Sequence, residues 1–168
     1  MTGGSAAGVT VRPAREEDID AMVDLLAAVA EEGRGIATEA PVDRDRRRRR
    51  WAEDLQRDDV GLFVADAGGE LVGQLGLALA SYGVADLGML VADGWRRRGV
   101  GGALLRAGID WARRAGAHKL ALQVWPHNRA AVALYERFGF QHEGRLRRHY
   151  RRRSGELWDA IVMGLPLD

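Results

Sequence analysis

The chain has 168 residues, no cysteine, and 25 basic against 24 acidic side chains, for a formal net charge of +1. Without cysteine there is no disulfide, no thiolate metal site and no acetyl-cysteine intermediate, so any acyl transfer has to be direct. At 46% hydrophobic the length fits one domain with an ordinary core, and no apolar run reaches the roughly 18 residues of a membrane span.

Residues 1–8 are small and polar and read as a disordered tail ahead of one domain over residues 9–168. They lack the basic start and apolar stretch of a secretory signal, which points to a cytoplasmic protein. Val9 to Arg12 reads as a short strand. Pro13 and Ala14 lead into a helix whose first turn carries Glu16, Glu17 and Asp18, acids that suit the positive end of its dipole. Ile19, Met22, Val23, Leu26 and Val29 recur at helical spacing and form one buried stripe. Gly33 and Gly35 break this helix. A second runs from about Asp43 to Arg57, with Asp43 as N-cap and Trp51 and Leu55 on its buried side. The run Arg46 to Arg50 covers more than a full turn and cannot face one partner. Flanked by Asp43, Asp45, Glu53 and Asp54, it reads as solvated helix surface rather than a nucleic-acid contact.

Val60 to Asp66 and Leu71 to Ala80 are strand patterns joined as a hairpin through Ala67–Glu70, and a third strand follows from Ala85 to Ala92. All three are antiparallel neighbours. The third strand runs into a basic, glycine-dense turn and a helix starting near Val100. Gly99, Gly101 and Gly102 leave no side chains to keep an anion from the backbone, and the first N–H groups of the helix have no partner within it. Those donors, the helix dipole and the charges of Arg96, Arg97 and Arg98 suit a phosphate group. A P-loop is excluded, because Ala103 and Leu104 stand where Lys and Ser or Thr would follow Gly102. A dinucleotide loop is excluded too. Its third glycine position holds Leu104, and the next strand ends in Trp125-Pro-His-Asn128 rather than in an acid.

The helix then carries Leu104, Leu105, Gly108, Ile109 and Ala112 inward, with Arg106 and Asp110 spaced to pair outside, and stops at Gly116. Lys119 to Val124 is a strand parallel to the third, because a helical crossover joins them. The next helix, from about Asn128 to Phe138, turns Ala131, Leu134, Tyr135 and Phe138 inward and stops at Gly139. Phe140 to Arg147 and Leu157 to Leu165 close the sheet through a basic hairpin around residues 151–155. The four histidines, His118, His127, His142 and His149, show no metal-ligand spacing, so no metal is expected.

Arg96-x-x-Gly99-x-Gly101 after a strand resembles the acetyl-coenzyme A pyrophosphate loop of the GNAT superfamily of N-acetyltransferases. Asn128-Arg-Ala-Ala-Val-Ala-Leu-Tyr-Glu-Arg-Phe-Gly-Phe140 resembles the second signature of that family in every defined position, one helix and one strand further on. Val11 to Asp18 resembles the family's opening, so the likeness spans Val11 to Leu165. The closing region, with Gly155-Glu-Leu-Trp-Asp159 and Met163, resembles the phosphinothricin and amino-acid acetyltransferases. The family implies an α/β (α+β) domain with a mixed, largely antiparallel sheet of six to seven strands and about four helices, splayed at the acetyl-coenzyme A site. One departure stands out: the position after Arg96 is often glycine in the family, and here it is Arg97.

The resemblance also assigns roles. The coenzyme is held by the backbone of Met89, Leu90 and Val91, by Arg96, Arg97, Arg98, Gly99, Val100, Gly101, Gly102 and Ala103, and by Asn128, Ala131 and Tyr135. Tyr135 is the acid for the departing thiolate, with core packing as its plain alternative. The backbone from Met89 to Val91 polarises the carbonyl, and Asn128 is equally a helix cap. Asp86 and Glu39 are the bases to weigh, each also an ordinary surface acid. Arg148 and His149 are possible substrate contacts. The expected activity is acetyl transfer from acetyl-coenzyme A to a primary amine of a small molecule, an amino acid or a similar compound. A protein or peptide amine is the alternative acceptor, and a non-catalytic coenzyme-binding module the alternative class. No nucleic acid or membrane partner is expected, and a homodimer is allowed.

Overall fold

The structure is a computed structural model that describes Ala6 and residues 8–168; residues 1–5 and 7, most of the tail expected to be disordered, lie outside the described residues. Seven strands form one mixed sheet: β1 (Thr10–Pro13), β2 (Val60–Ala67), β3 (Glu70–Leu79), β4 (Val84–Val91), β5 (Lys119–Val124), β6 (Gln141–Arg151) and β7 (Leu157–Pro166). Four helices accompany them: α1 (Ile19–Glu31), α2 (Arg44–Asp54), α3 (Val100–Arg114) and α4 (Arg129–Arg137). The strand order is β1-β2-β3-β4-β5-β7-β6, with only β4 and β5 parallel, as the helical crossover between them requires.

Each face of the sheet has its own core. The stripe Ile19, Met22, Val23, Leu26 and Val29 of α1 packs with Trp51, Val64 and Leu90 on one face. Leu104, Leu105 and Ala112 of α3, with Tyr135 and Phe140, pack on Leu75, Ala85, Leu120 and Met163 on the other. Strand alternation explains the division: in β4, Ala85 and Leu87 face α3, whereas Asp86, Gly88 and Leu90 face α1.

Local chemistry sets most element ends. Asp43 caps α2 by accepting the Arg46 N–H at 3.0 Å. Arg44 and Arg48 then pair with Asp24 and Asp20 of α1, so part of the arginine run holds one helix to another. Asp18 gathers Arg12 through two hydrogen bonds of 2.7 and 2.9 Å, tying the start of α1 to β1. Gly116 and Gly139 take positive φ just after α3 and α4, where glycine costs least.

Two expectations are revised. Arg106 does not pair with Asp110; its guanidinium lies over the Phe138 ring at 5.4 Å, an apolar and cationic contact to α4 that a single-helix reading cannot foresee. Strand β6 continues to Arg151 instead of stopping at Arg147. The register shifts between Leu146 and Tyr150, Arg148 takes φ 51, and its N–H donates to the Asp159 carboxylate at 2.7 Å.

Candidate active site

The parallel pairing of β4 with β5 covers only Val84, Ala85 and Asp86 against Lys119, Leu120 and Ala121. Beyond it β4 stays on β3 as far as Val91, and β5 stays on β7 as far as Val124. The two strands part, and from Leu87 to Val91 one edge of β4 has no strand partner. Unpaired backbone donors and acceptors along such an edge suit an extended ligand that adds as a strand. On the α1 face the floor beside this split is bare: a Cβ placed on Gly88 would meet open space.

The glycine turn lies at the open end of the split. Gly99 takes φ 83 as the N-cap of α3, and the first helical partner is found only by the Ala103 N–H, at 3.0 Å from the Gly99 oxygen. The N–H groups of Val100, Gly101 and Gly102 are left for an anion. Gly101 and Gly102 have a second duty. A Cβ on Gly101 would come within 2.9 Å of Leu134, and one on Gly102 within 3.4 Å of Phe138, so these glycines also let α3 and α4 approach.

The three arginines of the turn divide their work. Arg96 forms a bidentate pair with Glu32 at the end of α1, at 2.6 and 2.8 Å, and donates to the Val91 carbonyl at 3.0 Å. The Glu32 hydrogen bond outweighs burial and holds the Arg96 guanidinium above its ordinary pKa. Arg98 stacks over Trp95 at 5.1 Å. Arg97 stands exposed in the left-handed region, at φ 61.

Tyr135, on α4, is 6% exposed and packs its ring on Phe140 at 5.6 Å. No described residue hydrogen-bonds its hydroxyl, and burial pushes its pKa up to about 12. Core packing and a proton-bearing hydroxyl therefore coexist in one side chain. Asn128 caps α4 through the Ala131 N–H at 3.3 Å, which occupies its carbonyl oxygen and leaves its NH₂ group unused.

The two acids part company. Asp86 is exposed where the strands diverge, on the face of Gly88 and Gln123, with no ion pair among the described residues. Glu39 lies in the loop between α1 and α2, where its carboxylate accepts the Arg153 N–H at 3.2 Å beside Arg152 at 3.6 Å. It ties that loop to the β6–β7 hairpin. Arg148 lies at the β6 bulge and His149 stacks edge-on against Tyr150 at 5.0 Å, both on the exposed hairpin. Gly88 and Glu32 escaped the sequence reading, because each matters through a neighbour distant in the chain.

A sheet opened between two parallel strands, with the free N–H groups of a helix N-terminus at its mouth, is the arrangement of an acyl-coenzyme A-dependent acyltransferase. Acetyl-coenzyme A fits the residues present: the free β4 edge for its arm, the free α3 amides for its pyrophosphate. The profile of the acetyltransferase (GNAT) family matches residues 19–140, and the chain belongs to that family, as an N-acetyltransferase that uses acetyl-coenzyme A. It is 34% identical over 122 residues to the L-amino acid N-acetyltransferase AaaT of Escherichia coli strain K12, covering 67% of this chain and 73% of that one. It is 28% identical over 170 residues to the L-methionine sulfoximine/L-methionine sulfone acetyltransferase of Pseudomonas aeruginosa, covering 95% of each. YncA of Salmonella typhimurium, solved with its cofactor acetyl-CoA, superposes with a TM-score of 0.85 at 23% identity over 96% of this chain and 95% of that one.

Proposed function

We propose that the protein transfers acetyl directly from acetyl-coenzyme A to the primary amine of a small molecule, an amino acid or a compound resembling one. The observation that carries this reading is the likeness, over 95% of the chain, to a transferase named for L-methionine sulfoximine and L-methionine sulfone. On the α1 face of the split Gly88 leaves open floor, and Arg152 and Arg153 tie the loop of residues 32–43 to the β6–β7 hairpin. The names of the two similar transferases, one for L-amino acids and one for L-methionine sulfoximine, support the same class of acceptor. Such an enzyme works in the cytoplasm, where its donor is made.

Bound acetyl-coenzyme A supplies a thioester, whose carbonyl is activated and whose thiolate must leave. The free N–H groups of β4 between Leu87 and Val91 would polarise that carbonyl. Tyr135 keeps its proton at every physiological pH, since its pKa is pushed up to about 12. It is thus a donor that is always loaded, for a sulfur that would otherwise depart as an anion. A phenol held at about 12 gives its proton to a thiolate only where the site also raises the thiol's proton affinity, as the same dry surroundings would do for a sulfur bound beside it. Asp86, exposed on the α1 face, would take a proton from the incoming ammonium directly or through water.

The test is thiol release from acetyl-coenzyme A across a panel of amino acids, amino-acid analogues, polyamines and peptides. Tyr135→Phe should lower kcat by about 100-fold with acetyl-coenzyme A affinity retained, the usual weight of one proton donor. Between about pH 6 and 10 the wild-type rate should rise as the amine loses its proton, with no falling limb from Tyr135. Activity confined to peptides would replace the small-molecule reading, and an unchanged rate in Tyr135→Phe would remove the phenol from the chemistry.

A further inference from the structure

Arg152 is the only buried cation among the described residues, at 6% exposed, and neither the coenzyme site nor the proposed proton transfers use it. Its guanidinium lies over the ring of Trp158 at 4.4 Å and that of Trp125 at 5.3 Å. Its Nη1 donates to the Ala37 carbonyl at 3.0 Å, and its Nε stands 3.6 Å from the Glu39 carboxylate. Its own backbone closes the hairpin, the N–H donating to the Glu156 carbonyl at 2.8 Å.

These partners belong to three separate segments that meet just past the C-terminal end of β5, where the split is open. Ala37 and Glu39 are in the loop between α1 and α2. Trp125 follows the last residue of β5 and opens the turn that Asn128 closes as the cap of α4, the helix of Tyr135. Trp158 belongs to β7 and stands opposite Tyr150 of β6, whose hydroxyl donates to the Gln123 side chain on β5. A second contact, between His127 and the Arg34 carbonyl at 2.9 Å, ties the same loop to the same turn.

Burying a cation costs several kcal/mol, and an apolar side chain of similar volume generally serves stability as well or better. Arg152 therefore calls for a role beyond filling space. A methionine could fill the gap between the two indoles but could not reach the loop carbonyls with directed donors.

We propose that Arg152 is the positioning residue of the acceptor wall, fixing the loop of residues 34–41 against the Trp125 turn and the hairpin so that an incoming amine meets the split in one orientation. This rests on the reading of the chain as a small-amine acetyltransferase. Arg152 and its side-chain partners lie across the split from β4 and make no bond to β4 or to the glycine turn among the described residues, so the effect falls on the acceptor and spares the coenzyme.

Arg152→Met and Arg152→Lys test this in the full chain. Both variants should melt within a few degrees of wild type and keep their acetyl-coenzyme A affinity within about 2-fold. Amide hydrogen exchange in residues 34–41 should speed up by about 10-fold or more, a readout independent of any acceptor. With the best amine of the panel, KM for the amine should rise by about 10-fold or more in Arg152→Met, while KM for acetyl-coenzyme A stays put. Arg152→Lys should recover part of the charge but not the loop protection, because an ammonium cannot stack and donate in one plane. Unchanged loop exchange, or an amine KM equal to wild type, overturns the proposal, as does a parallel loss of coenzyme affinity. Wild-type protein that acetylates no small amine would instead sink the function reading, with the exchange result still deciding whether Arg152 holds the loop.

Discussion

Arg97 carries φ 61 in a turn where its neighbour Gly99 also takes a left-handed conformation, at φ 83. For a residue with a Cβ this region costs about 1–2 kcal/mol, and only part is returned by the smaller entropy of the unfolded arginine. Arg97→Gly should therefore stabilise the chain by about 0.5–1 kcal/mol, read as a melting temperature about 1–4 °C higher. Its side chain has no ion pair or hydrogen bond among the described residues, so acetyl-coenzyme A affinity should change by less than about 2-fold; a 10-fold fall in a calorimetric titration would show that the Arg97 charge reaches the pyrophosphate. The sequence carried half of this, since glycine is the family's common residue at that position, while the backbone angle that explains the preference needs coordinates. Asp43 as a cap was legible because its partner, the Arg46 N–H, is three residues away. The Arg96 pair with Glu32 was not, because 64 residues separate them and either acid or base taken alone looks like surface.

Helix α3 shows the same contrast one level up. Its stripe of Leu104, Leu105 and Ala112 follows from a period of 3.6, and all three are buried. What fixes its height above the sheet is glycine on the strands beneath. A Cβ on Gly73 of β3 would lie 3.0 Å from Leu104, 3.1 Å from Val100 and 3.3 Å from the Leu90 carbonyl. Those neighbours are the first turn of α3 and the backbone of β4, the two walls between which the coenzyme would run. Gly73 has an ordinary φ, so alanine there is a problem of space alone. Gly73→Ala should lift the start of α3, cost about 1–3 kcal/mol by overpacking, and weaken acetyl-coenzyme A binding about 10-fold, with kcat at saturation less affected. Calorimetry beside thermal melting checks it: a stability loss with unchanged affinity would mean that α3 yields elsewhere and the turn keeps its place.

At the scale of the molecule the sheet is two pieces joined by a short seam. Strands β1 to β4 form one ladder and β5 to β7 another; within the sheet three residue pairs between β4 and β5 join them, and beside that seam stand the His118–Gly83 backbone hydrogen bond, the loop-to-hairpin contacts of Arg152, Arg153 and His127, and the apolar contacts of α3 and α4. A ligand that lies along the free β4 edge and reaches the α3 amides would add contacts across this seam that the unfolded chain cannot offer. Binding to the folded state alone stabilises by about 2.7 kcal/mol at a ligand concentration 100 times Kd, which for a chain of this size is roughly 5–10 °C in melting temperature. Acetyl-coenzyme A should produce that rise, and amides from Leu87 to Val91 should exchange more slowly in its presence. An adenosine diphosphate fragment without the pantetheine arm should engage the α3 N-terminus and raise the melting temperature less, leaving exchange along β4 unchanged. If the fragment protected β4 as fully as the whole coenzyme, the seam would be closing by a shift of the two ladders rather than by an added strand. The split would then belong to the free form, and the carbonyl would have to be polarised by groups other than the open edge of β4.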